Sequence, residues 1–97
     1  MKRIISLLLI IIISLFNVSC AERAAYVAKH PELPITYKKA ITAGKIMIGM
    51  TKEQVIASWG NPNKINKSVG SWGVHEQWVY SSQYLYFENG KLTSWQD

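Results

Sequence analysis

The sequence predicts an α+β domain: two short helices packed on one face of a three- to four-stranded antiparallel β-meander. Three observations carry that expectation. The stretch from Met50 to Pro62 has a helix start, an apolar face and a helix stop written into it. After Lys64 the apolar pattern changes from helical spacing to alternation. Finally, Asn89-Gly90 sits between two runs rich in β-branched and aromatic residues, as a hairpin turn would. Helices that precede strands, instead of alternating with them, point to an antiparallel sheet with its helices gathered on one side.

The chain has 97 residues, enough for one domain. It opens Met1-Lys2-Arg3 and then runs apolar from Ile4 to Phe16, broken only by Ser6 and Ser14. A charged start, a short apolar run and small residues after it read as a secretory signal peptide. A spanning helix needs about 20 apolar residues, more than this run supplies. The only cysteine, Cys20, falls where cleavage is expected. "NVSC" (17–20) resembles the bacterial lipobox, in which the cysteine is lipid-modified and becomes the first mature residue. Val18 and Ser19 fit that pattern, whereas Asn17 stands where an aliphatic residue is usual. Two other readings remain: cleavage after Ala21, with Ser19 and Ala21 as the small-x-small pair, and a thiol of no consequence. The expected organisation is therefore a lipoprotein-type signal peptide over 1–19, a lipidated N-terminus with a tether or short helix over 20–34, and the folded domain over 35–97.

From Cys20 onward nine Lys and Arg stand against six Asp and Glu, a net charge of +3, and no basic run exceeds Lys38-Lys39. A mildly basic surface is compatible with anionic lipid head groups. It lacks the clustered charge of a nucleic-acid footprint. With one cysteine there is neither a disulfide framework nor a thiolate metal site. A core this small must then be filled by large side chains. Six of the eleven aromatic residues lie in the last 23 positions. Much of that content is expected to be core, since each ring buries ~150–250 Å².

Along the chain, "AERAAYVAKH" (21–30) contains good helix formers and ends before Pro31, which restricts the residue ahead of it. "ITYKKAITAG" (35–44) has Ile35, Ala40 and Ile41 at roughly helical spacing and Gly44 as its stop. In "IGMTKEQVIASWGNP" (48–62), Thr51 and Gln54 form a capping box, and Met50 and Val55 the matching hydrophobic staple. Val55, Ile56 and Trp59 share one side, Gly60 suits a left-handed C-terminal conformation, and Pro62 blocks continuation. "KINKSV" (64–69) is compatible with a strand, "GSWG" (70–73) is a turn, and "VHEQWVY" (74–80), "YLYFE" (84–88) and "KLTSWQ" (91–96) are strands.

Asn89-Gly90 suits a type I′ turn, which needs positive φ at both positions. A regular ladder from that turn pairs Phe87 with Leu92, Tyr86 with Thr93, Leu85 with Ser94 and Tyr84 with Trp95. Leu85, Phe87 and Leu92 then share one face; Tyr84, Tyr86, Thr93 and Trp95 share the other. The loop at Ser81-Ser82-Gln83 is open: two loop residues put Trp78 beside Leu85, three put it beside Tyr86. A one-residue slip exchanges the faces of the whole strand.

Candidates for chemistry are few. His75 and Glu76 are adjacent, and neighbours on a strand point to opposite faces, so they do not form an acid/base pair. No carboxylate pair, phosphate loop, His cluster or Ser-His-Asp set is present, and two distant histidines do not make a metal site. No catalytic residue, cofactor or metal is expected. A sheet covered by helices on one side leaves the other free, and exposed aromatic surface of that kind marks interaction sites. The candidate binding residues are Trp72, Tyr84, Tyr86 and Trp95, unless the N-terminal helix or the 64–69 strand folds over them.

The stretches "GKIMIGMTKEQVIASWGNPNKIN" (44–66) and "HEQWVYSSQYLYFENGKLTSW" (75–95) resemble the SmpA/OmlA family, the BamE-like small outer-membrane lipoproteins. The likeness lies in "GMTKEQV" opening a helix, "WGNP" closing it, and an aromatic strand leading to "ENGKLTS". The resemblance implies two helices on a three-stranded antiparallel sheet, a lipid anchor at Cys20 and a supporting role in outer-membrane assembly or envelope integrity. The aromatic strands and the "HPELP" lead-in depart from the assembly subunit itself and look like a separate branch. In enteric-type bacteria, Ala21 in place of Asp after the cysteine favours transport to the outer membrane. The expected protein is thus a non-enzymatic module, anchored in the outer membrane and facing the periplasm, that binds an envelope protein or outer-membrane component and neither nucleic acid nor a small-molecule substrate. The alternative is a soluble periplasmic or secreted inhibitor-like binding protein, released after Ala21.

Overall fold

The computed structural model describes residues 18–97; the expected signal peptide, 1–19, lies outside the described residues except for its last two. The described chain runs α1 (Cys20–Lys29), α2 (Ile35–Thr42), α3 (Lys52–Trp59), β1 (Lys64–Gly70), β2 (Gly73–Val79), β3 (Tyr84–Glu88) and β4 (Lys91–Gln96). The four strands form one antiparallel sheet in the order β1-β2-β3-β4. The α+β meander expected from the sequence is the fold, with a third helix in front.

That third helix is the short-helix alternative for 20–34, not the tether. The side chain of Ser19 accepts a hydrogen bond from the Glu22 backbone, and Glu22 and Lys29 carry charges of the right sign at the two ends of α1. Helix α1 buries no residue fully, but Tyr26 and Val27 pack against the core, and the helix lies against both α2 and α3. Helix α2 follows Pro34 and buries Ala40 and Ile41. Gly44, just beyond its end, has φ +72°, the left-handed region that favours glycine.

Both halves of the capping box are made in α3: Thr51 Oγ1 accepts from the Gln54 N–H at 3.2 Å, and Gln54 Oε1 accepts from the Thr51 N–H at 3.0 Å. The staple pair, Met50 and Val55, is fully buried. The helix buries Val55 and Ser58, with Ile56 and Trp59 only partly covered. Ser58 tolerates burial because its hydroxyl donates to the Lys45 carbonyl at 2.7 Å. Gly60 ends the helix at φ +84° and ψ −174°, so its φ is positive as expected while its ψ is extended rather than left-handed helical.

In the sheet the Ser81-Ser82 connection sets Trp78 opposite Leu85, the two-residue solution. Glu76, Trp78, Leu85, Phe87 and Leu92 then share one face and are all buried. Ala40, Ile41, Met50 and Val55 join the apolar members of that row in a single core cluster, so the helical half covers this face. The Asn89-Gly90 turn has φ +49° and +82°, and Phe87 pairs with Leu92. Beyond that pair the expected register fails. A bulge at Tyr86/Phe87 takes Thr93 out of the ladder, so Tyr86 pairs with Ser94, Leu85 with Trp95 and Tyr84 with Gln96. Thr93 Oγ1 donates to the Tyr86 carbonyl at 3.2 Å, which gives the extra residue a local partner.

Removing the cap by Thr51→Ala should cost ~0.5–2 kcal/mol. For a domain of this size the melting temperature should fall by several degrees. Phe87→Ala, which empties a fully buried ring position, should cost ~3–5 kcal/mol and leave the domain largely unfolded in a denaturant titration.

Candidate functional site

The face of the sheet turned away from the helices is built in cross-strand rows. One row is Ser68, His75, Glu88 and Lys91; the next is Asn66, Gln77, Tyr86 and Ser94; the last is Lys64, Val79, Tyr84 and Gln96. Neither α1 nor β1 folds over these rows. Helix α1 packs on α2 and α3, and β1 adds to the sheet edge through β2. The face forms an open depression of about 470 Å³ lined by Asn66, Ser68, His75, Gln77, Tyr86 and Ser94, among others.

A hydrogen-bonded chain crosses all four strands of this face. Asn66 Nδ2 donates to Gln77 Oε1 at 3.0 Å, Gln77 Nε2 to Tyr86 Oη at 3.4 Å, and Tyr86 Oη to Gln96 Oε1 at 2.6 Å. Each link uses one donor and one acceptor, so the amide groups keep further hydrogen-bonding capacity. Trp72 stands at one end, 57% exposed, with its ring over Gly70. A Cβ at Gly70 would lie 2.4 Å from that ring, so only glycine leaves room for the indole there. The Trp72 and His75 rings are 6.2 Å apart, and His75 Nε2 lies 3.9 Å from Glu88 Oε1. Tyr84, 42% exposed, stands toward the opposite end.

Of the four candidate binding residues, the structure brings Trp72, Tyr84 and Tyr86 to this face and removes Trp95. The bulge at Thr93 turns Trp95 to the face of Leu85, where it lines a separate cleft with Trp59 and Lys45. The assignment of Trp95 to the tyrosine face is therefore corrected: one unpaired residue reverses the facing of every residue after it. His75 and Glu76 do face opposite ways. Cys20 is exposed at the first position of α1.

Two arrangements were not anticipated. Asn66, Gln77 and Gln96 carried no local signal, and only the strand register brings them into line with Tyr86. The second is on the helix side, where Glu76 is 6% exposed and held between Lys52 Nζ at 2.6 Å and Trp78 Nε1 at 3.0 Å. Burial pushes its carboxyl up. The hydrogen bonds from Lys52 and Trp78, with the charges of Lys52 and Lys67, outweigh burial and hold it below the ordinary carboxylate range. The pair ties the start of α3 to β2. Burial alone pushes the Tyr80 hydroxyl up; it donates to the Gly60 carbonyl at 2.8 Å. Among the described residues no three His, Cys, Asp or Glu side chains converge.

Comparison with protein-family models, with curated proteins and with solved structures returns no match to this chain.

Because the Glu76 carboxyl titrates lower folded than unfolded, its contribution is present above the unfolded value and is lost as pH falls through the folded one. Stability to urea should decline as pH drops below about 4.5. Glu76→Gln should flatten that decline, which unfolding curves at several acidic pH values would read. Gly70→Ala should displace Trp72 from its seat and leave the melting temperature nearly unchanged, visible as a shift of tryptophan emission toward the red.

Proposed function

We propose that this chain is a lipid-anchored, non-enzymatic envelope protein of the BamE-like type, which binds a protein partner in support of outer-membrane assembly or integrity. The observation that carries the reading is the uncovered outer face of the sheet. It is a shallow surface with exposed aromatic side chains at both ends and a row of neutral hydrogen-bonding groups between them. Tyr and Trp supply contact area at low entropic cost, and an amide row can satisfy polar groups of a partner's main chain. The anchor is supported by the position of Cys20, exposed at the head of α1, directly after "NVS".

Cys20→Ser should abolish palmitate labelling and release the protein from membranes. Persistent membrane association of that variant would sink the anchored reading and favour another means of attachment. For the binding face, in-cell crosslinking from Tyr84 followed by mass spectrometry should yield a discrete envelope protein. Tyr86→Ala and Trp72→Ala should each lower that crosslink about tenfold, equivalent to ~1.4 kcal/mol, with the domain still folded. Equal yields in all three proteins would remove the face from consideration.

A further inference from the structure

The cleft that receives Trp95 lies at the end of the molecule where the chain enters the fold. It measures about 290 Å³ and is lined by Gly44, Lys45, Ile46, Trp59, Gln83 and Trp95, with Asp97 at its margin. Two contacts of Arg23 tie the head of α1 to the same place. Arg23 Nε donates to the Ser58 carbonyl at 3.0 Å. The Arg23 guanidinium lies against Gly44, where a Cβ would come within 2.8 Å of Nη2. Gly60, two residues beyond Ser58, accepts from the Tyr80 hydroxyl, and the Tyr80 ring packs edge-on against Trp59 at 5.3 Å.

Cys20 is three residues before Arg23, on the same side of α1, and roughly 5 Å along the helix axis at ~1.5 Å per residue. No slack separates the attachment point from the folded domain. The headgroup layer of one leaflet is roughly 5–8 Å thick, so surface within a helical turn of an acylated cysteine lies in or on that layer. Tryptophan is favoured there, because an indole can bury its body among acyl carbonyls while its N–H stays hydrated. The Nε1 of Trp59 is already committed to the Gly44 carbonyl at 2.9 Å, whereas the Trp95 side chain is 39% exposed. Lys45 and Asp97 offset each other, so charge does not select the lipid.

We infer that this cleft is the surface the domain lays on the bilayer, with the Trp95 indole in the headgroup layer. The inference rests on the anchored reading given above. It leaves the outer face of the sheet to a partner and gives Trp95 a role apart from it.

The test uses the full mature protein, extracted from membranes in detergent and reconstituted into phosphatidylcholine vesicles whose acyl chains are brominated near the carbonyl end. Intact mass reads whether Cys20 carries acyl chains. Bromolipid should quench the tryptophan emission, and Trp95→Phe should reduce that quenching at least about twofold, whereas Trp72→Phe should leave it unchanged. Replacing part of the lipid by phosphatidylglycerol should not alter the result. Absence of acyl chains from Cys20 defeats the anchored reading. An acylated protein whose quenching is absent, is unaffected by Trp95→Phe, is carried by Trp72, or appears only with anionic lipid overturns the inference alone. Melting curves of both variants establish that they are folded.

Discussion

Leu92 joins the two halves of this molecule. Its N–H donates to the Met50 carbonyl at 2.8 Å, and its carbonyl accepts from the Gly49 N–H at 2.8 Å. Both Met50 and Leu92 have their side chains buried in the core. This exchange fixes the segment just ahead of α3 against the first turn of β4. The cap at Thr51, the staple from Met50 to Val55 and the Lys52–Glu76 pair all follow within a few residues of it. The same bonds occupy the outward edge of β4 near its start, an edge that would otherwise present unpaired backbone groups. The helical half and the sheet half are thus bonded through backbone as well as packed through side chains.

The two surfaces of the sheet obey different rules. The helix side is closed by large apolar groups around one carboxylate, and that carboxylate is tolerated because both of its oxygens have donors. The outer side is held by hydrogen bonds between neutral side chains, which fix side-chain positions with little contribution to burial. Replacing groups on the outer side therefore costs the fold less than replacing those on the helix side.

Much of this fold was legible in local sequence. The capping box of α3, the stop at Gly60, the turn at Asn89-Gly90 and the aliphatic face of Leu85, Phe87 and Leu92 depend on residues a few positions apart. What was not legible depended on distant partners. Glu76 read as an ordinary strand residue because its partner Lys52 lies 24 positions away. The register of β2 against β3 was open until packing of Trp78 on Phe87, with ring centroids 4.4 Å apart, selected it. Helix α1 read as either a short helix or a tether because its apolar stripe is thin; much of what fastens it comes from the Arg23 side chain reaching a carbonyl on α3. The site was half legible: the outward placement of Trp72 and the two tyrosines followed from turn and alternation, while the amide row required the register and Trp95 required the bulge.

The unpaired Thr93 separates chemistry from geometry in the last three residues before the terminus. Nothing about an indole or an amide decides which side of the sheet Trp95 and Gln96 occupy; whether Thr93 sits inside or outside the ladder decides it. A change that draws Thr93 into the ladder opposite Tyr86 would carry the indole from one surface to the other and swap the amide in return, without touching the buried face formed by Leu85, Phe87 and Leu92. Descendants of one ancestral sequence could in this way redistribute an aromatic group between two surfaces in one step. Aligned column by column, such chains would place the same tryptophan side by side even where it faces opposite directions.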